Sequence, residues 1–321
     1  MSKPKLLAYS LLIAIVFALA GTSFAKAAPQ RCGFNGDYSF FFWDPSLPLS
    51  GVGYMSVQLN PATKCRSGVV LPGGIINCNF GLGEIFEDFI EDGFVFLESD
   101  GAGTMEIETN SSRGICGTET NALELDISLV SGGKTVLFNT DGEQFASSGL
   151  IPQAGYFNTL TGRADKCFAG QISGCYDVRF WSQAAELVPP PFSVVPDDFA
   201  PFDSAAGDCT ICVNGAGAVT GGTCRCNVHR TEFGGFETLS EIEGGGYTLG
   251  ENCQSSTGYL WFVTSSDRIC GISNYLALDF AAAQQGKELI GACDTDEWIL
   301  NNTAEFNAGE FLPCAFEGFL Q

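Results

Sequence analysis

Apolar and polar residues alternate along much of this chain. Leu123, Leu125, Ile127 and Leu129 are separated by Glu124, Asp126 and Ser128. Successive side chains of a strand point to opposite faces, so this run predicts a half-buried strand with its leucines inward and its acids outward. Leu276, Leu278 and Phe280 repeat the pattern around Ala277 and Asp279. Met105 and Ile107 alternate with Thr104, Glu106 and Glu108 directly after Ser99-Asp100-Gly101-Ala102-Gly103. The Asp-Gly step there predicts a hairpin turn that joins this strand to Phe94-Val95-Phe96-Leu97. Helical spacing is rare. Ile85, Phe86, Phe89 and Ile90 fit a short amphipathic turn over residues 83–91, and the glycine-rich flanks make an irregular strand the competing reading.

The chain also repeats itself. Ser111-Ser112-Arg113-Gly114-Ile115-Cys116-Gly117 returns as Ser265-Ser266-Asp267-Arg268-Ile269-Cys270-Gly271. Gly133-Lys134 is matched by Gly286-Lys287, and Gly36, Tyr38, Phe42 and Trp43 by Gly174, Tyr176, Phe180 and Trp181. Toward the end of each copy Ala154-Gly155-Tyr156-Phe157 answers Ala308-Gly309-Glu310-Phe311, and Cys167 is expected to answer Cys314. A period of about 150 residues exceeds any solenoid repeat and indicates whole duplicated domains. The expected units are a signal peptide at 1–25, a first repeat at 30–169 and a second at 170–321. The second carries a proline-rich insertion at 188–203, which suits an exposed loop. Many short strands joined by Gly and Asp turns predict a sandwich or a closed barrel, and the barrel is preferred.

Lys3 and Lys5, the apolar run that follows and the small-x-small site Ser23-Phe24-Ala25 have the layout of a secretory signal peptide. The apolar run is too short for a bilayer-spanning helix, and no later segment resembles one. The expectation is therefore export to the periplasm, cell surface or medium, with no integral membrane segment once the signal is removed. Fourteen cysteines fit that destination, because oxidising compartments favour disulfides. All are disulfide candidates: Cys32, Cys65, Cys78, Cys116 and Cys167 in the first repeat; Cys175, Cys209, Cys212, Cys224, Cys226, Cys253, Cys270, Cys293 and Cys314 in the second. Both counts are odd, so full pairing requires a bridge across the boundary or a different boundary. Cys65 with Cys78 is an expected local staple. The formal net charge of −22 disfavours nucleic acid and anionic lipid and favours cationic partners.

The first repeat resembles a loosely defined group of uncharacterised exported bacterial proteins. The likeness rests on the Gly-x-Tyr-x-Phe strand Gly36-Asp37-Tyr38-Ser39-Phe40 and the Asp-Gly-x-Gly hairpin Asp100-Gly101-Ala102-Gly103. It implies an antiparallel β-barrel-like domain of calycin-like form. The second repeat departs from it, with Glu251-Asn252-Cys253-Gln254-Ser255 in place of that hairpin. The expected fold is all-β, a disulfide-stabilised tandem duplication of an antiparallel barrel-like domain.

Residues suited to catalysis are few. His229 is the sole histidine and has no counterpart in the first repeat, which argues against a Ser-His-Asp or Cys-His centre. Cys209, Cys212, Cys224, Cys226 and His229 have zinc-compatible spacing, but export favours disulfides, and no metal or cofactor is expected. The acids Glu84, Glu87, Asp88, Glu91 and Asp92 are read as a solvated face. Asp100, Asp141, Asp294 and Asp296 are read as turn residues, since none completes a calcium loop. Asp126 and Asp279 hold the same strand phase in both repeats, with Asn121 and Asn274 shortly before, and are the candidate ligand-binding residues. The preferred function is a non-catalytic exported barrel that binds an unidentified ligand or protein partner or acts structurally at the cell surface. The alternative is a carboxylate-dependent hydrolase of extracellular glycan.

Overall fold

A computed structural model describes residues 31–44, 49–80, 84–112, 114–117, 121–140, 160–168, 170–183, 202–230, 234–249, 258–264, 275–293 and 314–321. Its strands form two closed antiparallel barrels of eight strands each. The first is β1 (Gly36–Asp44), β2 (Leu49–Leu59), β3 (Ser67–Phe80), β4 (Glu84–Leu97), β5 (Ala102–Thr109), β6 (Ala122–Val130), β7 (Thr135–Thr140) and β8 (Thr161–Lys166). The second is β9 (Gly174–Gln183), β10 (Phe202–Val213), β11 (Ala218–Arg230), β12 (Gly234–Thr248), β13 (Gly258–Thr264), β14 (Tyr275–Ala283), β15 (Glu288–Cys293) and β16 (Cys314–Leu320). Each strand pairs with the next, and β8 closes on β1 as β16 closes on β9. Closure removes the exposed edges of an open sheet. No helix among the described residues is long and apolar enough to cross a membrane. The expected signal peptide lies outside the described residues, as do Asn274, Cys253, Cys270, Asp141, Asp294, Asp296 and residues 188–201.

Alternation sets the inside of each barrel. Leu123, Leu125, Ile127 and Leu129 are buried, while Asp126 and Ser128 are exposed. The hairpin forms where expected, between Leu97 and Ala102, with Gly101 at φ 94°. Asp100 Oδ1 accepts the Ala102 N–H at 3.1 Å, as an aspartate closing its own turn does. Residues 84–97 are strand, so the amphipathic turn expected over 83–91 gives way to its competitor. A register shift between Ile90 and Asp92 puts an extra residue into β4 and spoils strict alternation. Asp88 is no part of a solvated face. It is 4 % exposed and its Oδ2 accepts the Cys116 N–H at 2.8 Å. Glu87, Glu91 and Asp92 are exposed as expected.

Phenylalanine and glycine fill the barrels together. Phe42 faces Gly51 across β1 and β2, and a Cβ on Gly51 would come within 2.2 Å of the Phe42 ring. Phe180 and Gly207 form the same pair across β9 and β10, at 2.4 Å. A ring laid over a glycine restores the packing that the missing side chain forgoes. The barrels are thus apolar inside, with acids such as Asp126 outside, the inverse of a transmembrane barrel.

The duplication is visible in the pairing. Leu125 lies between Met105 and Thr140, and Leu278 between Leu260 and Cys293. Strands β6 and β14, the sixth of each barrel, are therefore equivalent in both position and phase. The buried Tyr38 hydroxyl donates to the Gly133 carbonyl at 2.5 Å, and the Tyr176 hydroxyl to the Gly286 carbonyl at 2.6 Å. The repeated tyrosine and the repeated Gly-Lys pair thus meet across each barrel, and burial raises both phenols above the usual range. One expected match fails. Trp43 pairs with Thr161 and Trp181 with Ala315, so Cys314 corresponds to Leu160 rather than to Cys167.

Disulfides join Cys32–Cys65, Cys78–Cys116, Cys175–Cys212, Cys209–Cys224 and Cys293–Cys314, and Cys167 and Cys226 are also bonded. The expected Cys65–Cys78 staple does not form. Thirteen residues separate the two along the same strand and its approach, a distance of roughly 40 Å at strand rise. Cys209, Cys212 and Cys224 are consumed by disulfides, which leaves no thiolates there for zinc.

The barrels dock through their outer faces. Phe41 and Val52 of the first pack on Ala281, Ile290 and Ala315 of the second, with Trp43 and Trp181 at the margin. The rings of these repeat-equivalent tryptophans lie 5.9 Å apart, edge to face. Small alanines let the second sheet approach closely. The chain leaving β8 adds to that contact, the Phe168 N–H donating to the Ala282 carbonyl at 3.0 Å.

Candidate functional site

The barrel interior is the first place to look for a ligand. In the first barrel Phe40, Phe42, Met105, Leu125 and Phe138 surround a void of only about 10 Å³, which at most approaches the space of one water molecule. A drug-sized ligand needs a pocket of several hundred Å³. Among the described residues of the first barrel, the phenylalanines that might have lined an apolar cavity pack around this small void.

The second place is the seam between the barrels, where charge converges. Arg163 on β8 reaches out of the first barrel. Its Nε lies 2.6 Å from Asp165 Oδ2, its Nη2 2.7 Å from Glu288 Oε1 on β15, and its Nη1 3.7 Å from Glu317 Oε2 on β16. Nη2 also donates to Glu288 Oε2 at 3.0 Å. Asp165 is 0 % exposed and Glu288 3 %. Asp165 Oδ1 accepts from Thr135 Oγ1 at 2.5 Å and from Gln284 Nε2 at 3.0 Å. Arg163 Nε, Asp165 Oδ2 and Glu288 Oε1 are held by charge rather than by well-aligned hydrogen bonds.

Burial pushes the Glu288 carboxyl up to about 7, with Asp165 and Glu317 adding to the shift and Arg163 opposing it. The cluster therefore does two things chemically. It places one guanidinium among three carboxylates across the seam, and it holds a proton near neutrality. None of these residues was singled out in the sequence, because the cluster exists only once two distant strands have docked. Arg163, a lone arginine within the short β8, was the available signal.

The third place is the outer wall of β3 to β6, and here Asp126 is found. Across β5 and β6 Asp126 faces Thr104 and Glu106 faces Glu124; across β4 and β5 Phe94 faces Glu106 and Asp92 faces Glu108. Val69 on β3 stands beside Phe94. Val69, Phe94 and Phe96 are 45 %, 51 % and 50 % exposed. Burial and the neighbouring Glu108, Glu124 and Asp92 raise the Glu106 carboxyl above its ordinary value.

The sequence candidates do not form one site. Asn121 lies in the turn before β6, where its carbonyl accepts the Thr109 N–H at 2.8 Å. Asp279 is half-buried on the other barrel, opposite Tyr259 and Ala292. His229 belongs to β11.

No protein-family model matches the chain, and no curated protein matches it either. Among solved structures, that of CghA with Sch210972 aligns at 7 % identity over 89 % of this chain and 88 % of its own, with a TM-score of 0.23. A double mutant of the vaccine antigen transferrin binding protein B from Haemophilus parasuis aligns at 9 % identity over 89 % of this chain and 75 % of its own, with a TM-score of 0.25. Both scores are too low for either likeness to bear on function.

Proposed function

We propose that this is an exported, non-catalytic β-barrel protein that engages a partner through the outside of its barrels; the resemblance to exported bacterial proteins bears on its fold and compartment only. The observation that carries the reading is the packed interior of the first barrel, where the described side chains enclose a void of only about 10 Å³, which favours the outer surface for recognition. Export is supported by the signal-like N-terminus and by the bonded state of every described cysteine. Strong acidity points away from nucleic acid and anionic membrane and toward a cationic partner. A glycan hydrolase needs two carboxyls flanking an open cleft. The carboxyls that converge at the seam, Asp165 and Glu288, are buried against Arg163, and those of Glu106 and Glu124 stand on the outer wall of a closed barrel rather than across a cleft.

Release of new reducing ends from soluble polysaccharides tests this reading. The wild type should release no more than the Asp165→Asn/Glu288→Gln variant. Release by the wild type that the variant abolishes would replace the binding reading with the hydrolase.

A further inference from the structure

Strands β3 to β6 contain no Lys, Arg or His, so their outer wall has no basic side chain of its own. Neighbouring strands lie about 4.8 Å apart. The apolar column of Phe94 and Phe96 therefore runs beside an acidic column on β5, which runs beside a second on β6. Like charges directly opposite one another, as in Glu106 and Glu124, oppose sheet formation, and they are relieved by a cation placed over them. Half-exposed aromatics in a row are equally unusual on a surface without a partner. Resting on the partner-binding reading, we propose that this wall, where exposed Val69, Phe94 and Phe96 border Glu106, Glu124 and Asp126, docks a segment of another protein that carries apolar side chains beside Lys or Arg.

Charge complementarity selects that occupant. A second copy of this chain would bring another net charge of −22 to the same face, and phosphate backbones and anionic headgroups are repelled likewise. The wall is β3–β4–β5–β6, whereas the second barrel contacts the first through Phe41 and Val52 of β1 and β2 and Arg163 of β8. Among the described residues, the docking contacts therefore lie away from this wall, and Val69, Phe94 and Phe96 stay half-exposed.

The test uses the full chain and a fluorescent dodecapeptide of alternating Lys and Phe, read by anisotropy. Saturable one-to-one binding is expected. It should weaken by about tenfold or more in Phe94→Ser/Phe96→Ser and in Glu106→Gln/Glu124→Gln. All four positions lie on the outer wall, so neither variant should lower the unfolding midpoint, and Glu106→Gln/Glu124→Gln should raise it by removing the like-charged pair. Peptides of alternating Lys and Ser, or Glu and Phe, should bind at least about tenfold more weakly.

Equal binding by wild type and both variants would overturn the assignment of this wall while leaving partner binding itself standing. Equal binding of the Lys-Ser peptide would reduce the interaction to charge and overturn the proposal, as would no binding of the Lys-Phe peptide. A concentration-dependent dimer lost in the same variants would instead make the occupant a second copy, again overturning it.

Discussion

Raising the pH from about 5.5 to about 8.5 should weaken the folded protein by about 2 kcal/mol through Glu288 alone. Its carboxyl is pushed from 4.5 up to about 7 in the folded chain. A group whose folded value is raised holds its proton more tightly in the native state. Its contribution is therefore complete below the unfolded value and is lost as pH rises through the folded one. At about 1.4 kcal/mol per pH unit the whole gap amounts to about 3 kcal/mol, of which about 2 falls within this window. The ion pair with Arg163 is already included, since it opposes the rise.

The assay is urea unfolding at both pH values with disulfides intact, followed by tryptophan fluorescence, because Trp43 and Trp181 lie at the seam. Other groups also titrate, so the quantity to read is the difference between wild type and Glu288→Gln. The wild type should lose about 2 kcal/mol more than the variant on going to the higher pH. Equal losses, or a greater loss in the variant, would refute the account of the seam.

Removing the guanidinium with Arg163→Met leaves buried Asp165 without its counter-ion and should cost about 3 kcal/mol or more in the same unfolding assay, with a loss below about 1 kcal/mol speaking against the ion cluster. Leu125→Asp buries an unpaired charge and should destabilise by several kcal/mol, whereas Asp126→Asn should stay within about 0.5 kcal/mol of wild type; thermal unfolding compares them, and the reverse order would place Asp126 in a structural role. Gly51→Ala drives a Cβ into the Phe42 ring and should cost about 1 to 3 kcal/mol in urea, an unchanged midpoint refuting the ring-over-glycine packing. Cys226 sits opposite Gly207 as Cys78 sits opposite Gly51, so the duplication predicts a Cys226–Cys270 bridge matching Cys78–Cys116; non-reducing peptide mapping checks it, and a different partner for Cys226 would contradict the equivalence.

What the sequence made legible is what local physics determines. Leu123 to Leu129 could be read because one face of β6 is buried and the other wet, which forces alternation. The Asp100-Gly101 turn was readable because its chemistry is carried by neighbouring residues. In β4 the same logic failed. Ile85, Phe86, Phe89 and Ile90 imitate helical spacing because Phe89 points outward despite being apolar, and the shift at Ile90 to Asp92 interrupts the period. Val95 and Leu97 are as apolar as Phe94 and Phe96, so nothing local said which pair faces outward. Repetition revealed Gly133 and Gly286 but not their purpose, which depends on Tyr38 and Tyr176 arriving from the start of each barrel. Cysteine spacing misled for a related reason: β3 carries Cys78 the length of the barrel away from Cys65. The seam was beyond reach altogether, since Arg163, Glu288 and Glu317 meet only through the docking of two separate sheets.

The central proposal, that the first barrel is filled and that recognition falls to the outer surface, is tested most directly by titration with cis-parinaric acid, an apolar probe that fluoresces on entering a dry cavity. The account predicts no saturable uptake. One-to-one uptake that unlabelled fatty acid displaces, and that persists in Phe94→Ser/Phe96→Ser, would contradict it.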